Sequence, residues 1–130
     1  MAVEDPLLEK LHQRALREQW SLDDLDSTRI DLGALPAPLK QAGADAFAQL
    51  QHGEAAALVA ARRLGALVES PTSRALCELQ VRDEARHVAF FARAQEALGV
   101  EGRVRDSVRQ LMHEVEEAPT PEALVLGMQV

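Results

Sequence analysis

Three side chains in this sequence have the types and spacing that bind metal. Glu84 and His87 are separated by two residues, Glu-x-x-His, which on a helix puts both on one face, one turn apart. A carboxylate can bridge two cations while an imidazole nitrogen binds one of them, and a carboxylate–imidazole set suits iron or manganese. Glu54 lies thirty residues before Glu84. Each of the three interrupts a stripe of otherwise apolar or small residues. An isolated carboxylate in a helix-packing seam costs several kcal/mol unless it is paired, protonated or coordinated, so two of them with an imidazole point to a cation.

The stripes define the elements that must carry these residues. Cys77, Gln80, Glu84, His87, Phe91, Ala94 and Leu98 alternate at spacings of three and four, as do Phe47, Leu50, Glu54, Ala57, Ala61, Leu64 and Val68. The first long helix is predicted over Pro38–Val68 and the second over Pro71–Leu98. Ser70 and Pro71 supply an N-cap and a first helical position, and Gly99 a terminator. The short connection makes the two antiparallel neighbours. Their order, a Glu on one and a Glu-x-x-His on the next, is the repeating half of a di-metal carboxylate bundle.

Shorter helices flank this pair. Glu4–Trp20 carries Leu7, Leu8, Leu11, Ala15 and Leu16 on one side. Ser21–Pro38 is rich in Asp, Gly and Pro and reads as an ordered loop with a short turn, pinned by Trp20, Leu22, Leu25 and Ile30. Gly102–Glu117 gives a further amphipathic helix, and Thr120-Pro121-Glu122 starts another. That last helix runs into Ala123–Val130 with no cap, and is expected to expose apolar surface as an unfinished third bundle helix. The 130 residues are expected to form a single helical domain, ending where its third long helix begins.

Composition narrows the class. Aromatics are 3% of the chain, tyrosine is absent, and Ala and Leu dominate, which makes an all-α helical bundle the expectation. The lack of tyrosine excludes a phenol-based mechanism within the chain. The net charge of −7 and the absence of a basic run argue against nucleic acid. No apolar run approaches the ~20 residues of a membrane span, and the acidic start MAVEDPLLEK carries no secretory signal. A cytoplasmic location is the expectation. The single cysteine, Cys77, cannot form an internal disulfide.

Other candidates are bland. Glu9 and His12 repeat the Glu-x-x-His pattern, but no second carboxylate helix pairs with them. Cys77 reads as a small core residue, His52 as an exposed or capping histidine, and His113 as solvent-facing. Glu114, Glu116 and Glu117 form a solvated helix end. Asp23, Asp24, Asp26 and Asp31 do not match a calcium loop, and no phosphate loop, catalytic triad or zinc cysteine pattern is present. The bland account of Glu84 and His87 is an ion pair with Arg82, Arg86 or Asp83.

QHGEAAAL (51–58) and RDEARHVAFF (82–91), with the upstream QWSLDDLDSTRIDL (19–32), make the chain resemble the ferritin-like di-iron superfamily. The resemblance covers about Trp20–Leu98. It is nearest to the branch of ribonucleotide-reductase small subunits and p-aminobenzoate N-oxygenases. It implies a terminal metal ligand at Glu54, a bridging carboxylate at Glu84 and a terminal nitrogen ligand at His87. It further implies an iron or iron–manganese pair that activates O₂ to oxidise a small organic substrate or iron itself. The family supplies a second Glu and a second Glu-x-x-His from two later helices, and nothing after His87 provides them. The expected partner is therefore a second copy, in a homo-oligomer, or a complementary half-domain. The competing expectation is a non-enzymatic helical interaction module in which the three residues form a buried polar network and the apolar C-terminal stretch docks on a partner.

Overall fold

The computed structural model describes residues 5–26 and 30–129. Five α-helices follow in order: α1 (Pro6–Arg17), α2 (Ala37–Leu67), α3 (Pro71–Leu98), α4 (Asp106–Glu116) and α5 (Pro121–Gly127). Short 3-10 turns at Leu22–Asp24 and Leu32–Ala34 fill the connection between α1 and α2. Among the described residues there is no strand, and no helix is long and apolar enough to cross a membrane. The all-α reading and the antiparallel long pair hold.

The helix ends follow the local chemistry. Ser70 accepts from the Ser73 N–H and Pro71 opens α3. Gly99 closes that helix in the left-handed region at φ 71°, where a Cβ would be strained. Thr120 caps α5 by accepting from the Ala123 N–H, and Asp5 caps α1 through Leu7. The predicted start of α1 at Glu4 lies outside the described residues. At its other end α1 stops at Arg17, so Trp20 stands beyond the helix rather than in its last turn. The fourth helix begins at Asp106 rather than Gly102, because residues 101–105 instead strap the start of α2. Arg103 N–H donates to Asp45 at 2.9 Å, and Gln41 donates to the Glu101 carbonyl at 3.0 Å. A Cβ on Gly102 would lie 2.0 Å from the Ala44 carbonyl oxygen, so only glycine lets the strap come this close.

Helix α2 is central. It packs on α3 along one side and on α4 and α5 along another, while α1 rests on α3. The core consequently differs from the two stripes. Ala44, Ala48, Ala56 and Ala60 are buried, although they lie outside the predicted stripe of α2. Ala60 joins Val115, Ala118 and Leu124 in the cluster under α4 and α5. On the predicted stripes Ala61, Glu84, Ala94 and Leu98 are buried, but Leu50 is 50% exposed and Gln80 faces solvent. The α5 stretch is likewise folded onto its own chain through Leu124 and Met128, although Val125 and Leu126 stay exposed; Val130 lies outside the described residues. In the α1–α2 connection Trp20 and Leu22 are half-buried, whereas Leu25 and Ile30 are exposed and do not pin it.

Two close approaches fix the spacing of α2 and α3. A Cβ on Gly43 would lie 3.3 Å from a Leu98 methyl, and one on Gly65 would lie 3.1 Å from the Cys77 Cβ. Glu54 stands midway between the two glycines in sequence, and His87 midway between Cys77 and Leu98.

Candidate metal centre

The seam between these two contacts brings Glu54, Glu84 and His87 together. One ligand atom from each lies within 4.8 Å of the others. His87 Nδ1 is 3.1 Å from Glu84 Oε2 and 3.3 Å from Glu54 Oε2. Nδ1 is thus within hydrogen-bond reach of both carboxylates, and a ring with its proton there would donate to each. Gln80, one turn before Glu84, donates to Glu84 Oε1. Glu84 is 5% exposed, Glu54 is partly buried, and the His87 side chain is 40% exposed. The cluster therefore sits at the mouth of the seam, with its deepest carboxylate tethered.

The electrostatics are those of two carboxylates forced together. Burial raises the Glu54 pKa from its ordinary value, and the neighbouring Glu84 adds to the rise; His87 acts in the opposite direction. Proton uptake at Glu54 is the response of such a pair when no cation shares the site.

A second set of contacts holds His87. Trp20 stacks on its ring with centroids 6.0 Å apart, and the Arg86 guanidinium lies 5.2 Å from the Trp20 centroid. Arg86 also donates to Asp83 and, at 3.0 Å, to Gln19. The bland pairing expected for Glu84 and His87 thus goes elsewhere: Arg86 pairs with Asp83, while Glu84 and His87 face Glu54. Toward the Gly43 end, Gln95 donates to Gln51 across the seam, and Phe91 packs on Phe47 at 5.8 Å and edge-on to Phe90. Three of these roles were not read from the sequence. Gln80 stands in the sequence only as a stripe position, the Gln51–Gln95 pair carries no sequence signal of its own, and the Trp20 stacking depends on where the chain turns after α1.

The donor set fits a cation. Donors on opposite sides of one ion bound at about 2.0–2.3 Å are about 4–4.6 Å apart, so the observed spread is the size of one coordination sphere. The second Glu-x-x-His, Glu9 and His12, forms no such group: Glu9 meets Thr72 Oγ1 at 3.5 Å and Gln13 at 2.8 Å. His52 and His113 join no metal-type cluster among the described residues, and neither do Cys77 and the acidic groups at 114–117 and in the α1–α2 connection. Comparisons with protein-family models, with curated proteins and with solved structures return no match.

Proposed function

We propose that Glu54, Glu84 and His87 are one half of a di-metal centre for iron, or for iron with manganese, in an oxidoreductase of the di-iron carboxylate type. The observation that carries this reading is the convergence of the three ligand atoms within 4.8 Å at the middle of the α2–α3 seam. Such a metal pair, when bound, supplies one-electron redox chemistry toward O₂, with a small organic molecule or iron itself as the species oxidised.

The chain's own residues hold and prepare the site. Glu54 and Glu84 offer two negative charges that a dication neutralises. Gln80 fixes the outer oxygen of Glu84, and Trp20 fixes the plane of His87, so the ligand set needs little reorganisation on binding. Three protein ligands are enough for one ion with open positions and too few for two. The second ion requires a second set of Glu54, Glu84 and His87 from another copy of the chain, or a complementary half-domain. Leu50, one turn before Glu54 and 50% exposed, lies on the stripe that such a partner would cover.

One observation favours the alternative, a helical interaction module without metal. His87 Nδ1 is placed to satisfy both carboxylates at once, and Gln80 completes Glu84, a network that needs no ion. Metal analysis of protein purified without chelators, followed by anaerobic Fe²⁺ titration with light scattering, separates the two. The di-metal reading expects one Fe²⁺ or Mn²⁺ per chain in a dimer. A metal-free monomer at micromolar concentration that ignores added Fe²⁺ refutes it.

A further inference from the structure

A cavity of about 420 Å³ opens between α2 and α3 near the Gly65–Cys77 contact, lined by Ala61, Gly65, Cys77, Val81, Glu78 and three arginines. Its volume is in the range of small-ligand pockets. The floor is apolar or neutral: Ala61 is buried, and burial holds the Cys77 thiol in its protonated form by raising its pKa. The rim is cationic. Arg62 comes from α2, and Arg74 and Arg82 from α3. Against Glu78 alone, the lining carries a formal charge of +2 in a chain whose net charge is −7.

Two of the three arginines, Arg62 and Arg82, are not consumed by internal pairing. Glu78 stands four residues from both Arg74 and Arg82, the spacing at which helix ion pairs form. Yet it pairs with neither, and Arg62 and Arg82 make no side-chain hydrogen bond or ion pair among the described residues. Arg74 is held in place by the Val68 and Glu69 carbonyls at 3.0 and 3.2 Å. The register set by Gly65 against Cys77 brings Arg62 and Arg82 to within about 3 Å of the same level along the helix pair, on opposite walls. Two free guanidiniums facing one space match an oxyanion that accepts from both. By contrast, the neighbouring cavity of about 210 Å³ that shares Ala61 and Cys77 is lined by Leu64, Leu76, Gln80, Met128 and Gln129 and has no cation.

We propose that the arginine-rimmed cavity binds a small phosphate monoester, with the phosphate between Arg62 and Arg82 and the organic body over Ala61, Gly65 and Val81. A monoester carries close to two negative charges at neutral pH, which balances the lining, and its apolar part covers a floor that inorganic phosphate would leave bare. This does not depend on the metal reading.

The test is calorimetric titration of the full chain, without added metal and at low ionic strength, with phenyl phosphate, inorganic phosphate and benzyl alcohol. Phenyl phosphate is expected to bind saturably and at least tenfold more tightly than either of the others. Arg62→Ala and Arg82→Ala should each weaken it tenfold or more, while Arg109→Ala on α4 should leave it unchanged. In the wild type, ligand-induced amide shifts should centre on Gly65, Cys77 and Val81, which checks the site without any substitution. Absence of saturation, equal binding by both arginine variants, or shifts centred elsewhere overturns the proposal. Equal affinity for inorganic phosphate reduces the site to an adventitious anion, and equal affinity for benzyl alcohol to an apolar crevice; either result also overturns it.

Discussion

Replacing Glu84 with glutamine keeps the side-chain volume and removes one charge, which makes it the sharpest probe of the seam. Glu84 is 5% exposed, and desolvating a carboxylate costs several kcal/mol. It recovers hydrogen bonds from Gln80 and His87, each worth about 1.5–3 kcal/mol to a charged acceptor at most. Both donors reach solvent, which lowers those values. Against them stands the repulsion from Glu54, about 3–4 kcal/mol for two unit charges 4–5 Å apart at an effective dielectric of 20, and limited by proton uptake on Glu54. Glutamine at 84 keeps a hydrogen-bonding side chain of the same size and removes the repulsion that remains. Without metal, Glu84→Gln is expected to stabilise the fold by about 1–2 kcal/mol, or about 4–8 °C in Tm for a chain of this length. With metal the order inverts. Fe²⁺ at a hundred times its Kd would stabilise the wild type by about 2.7 kcal/mol, while the variant, lacking the shared carboxylate, should gain little. The assay is thermal unfolding of both proteins under anaerobic conditions, with and without Fe²⁺. A wild-type Tm indifferent to the metal refutes the metal reading. A lower Tm for metal-free Glu84→Gln refutes the strain argument, because it would mean that the three residues are a satisfied network.

His87→Ala should weaken Fe²⁺ binding without unfolding the bundle, since the ring is 40% exposed; fluorescence of Trp20, the lone tryptophan and the ring stacked on His87, reports the binding directly. Gly53→Ala should stabilise by about 0.5–1 kcal/mol, because a Cβ there would meet nothing nearer than the Met112 sulfur at 3.9 Å. Gly102→Ala should destabilise by about 1–3 kcal/mol, because its Cβ would press on the Ala44 backbone; urea unfolding of the two variants tests the contrast. The Asp45 carboxyl is held below its ordinary pKa, first by the Arg103 N–H and then by Gln41. Its contribution is therefore complete above the ordinary carboxylate range and lost as the pH falls through the lowered folded value; acid titration of Asp45→Asn should show a shallower loss of stability over that window.

The two long helices were legible because their signals are local. Ser70-Pro71 and Gly99 mark ends that depend on a few adjacent residues, and the three-four spacing of the α3 stripe needs no knowledge of partners. The placement of α2 was not legible in the same way. Ala44, Ala48, Ala56 and Ala60 carry little hydrophobic weight, so their burial depends on what packs against them, and α4 and α5 come from sixty residues further on. Leu50 shows the converse: a leucine on the right stripe stays half-exposed because nothing among the described residues covers it. The start of α4 was misplaced for a related reason. Gly102 looks like an ordinary point to begin a helix until Ala44 is seen beneath it. The convergence of Glu54, Glu84 and His87 could be reached from spacing alone, since an antiparallel pair with a short connection brings its midpoints together.

That midpoint is also where the geometry leaves room for chemistry. Glycine at 43 and 65 lets α2 approach α3 closely at both ends of the seam, against Leu98 and Cys77. Between those clamps the helices carry longer side chains: Glu54 against His87 and Glu84, and Gln51 against Gln95. Close contacts at the ends resist sliding and splaying, because packed interiors yield little to small displacements. The polar groups in the middle are thereby held at a spacing that their own mutual repulsion would otherwise widen. A centre placed there takes its three ligands from the two helices alone, with Trp20 of the α1–α2 connection stacked on the imidazole. Leu50 and His87 both reach solvent beside it, and that exposed side is where a metal, a substrate or a second copy of the chain would meet the cluster.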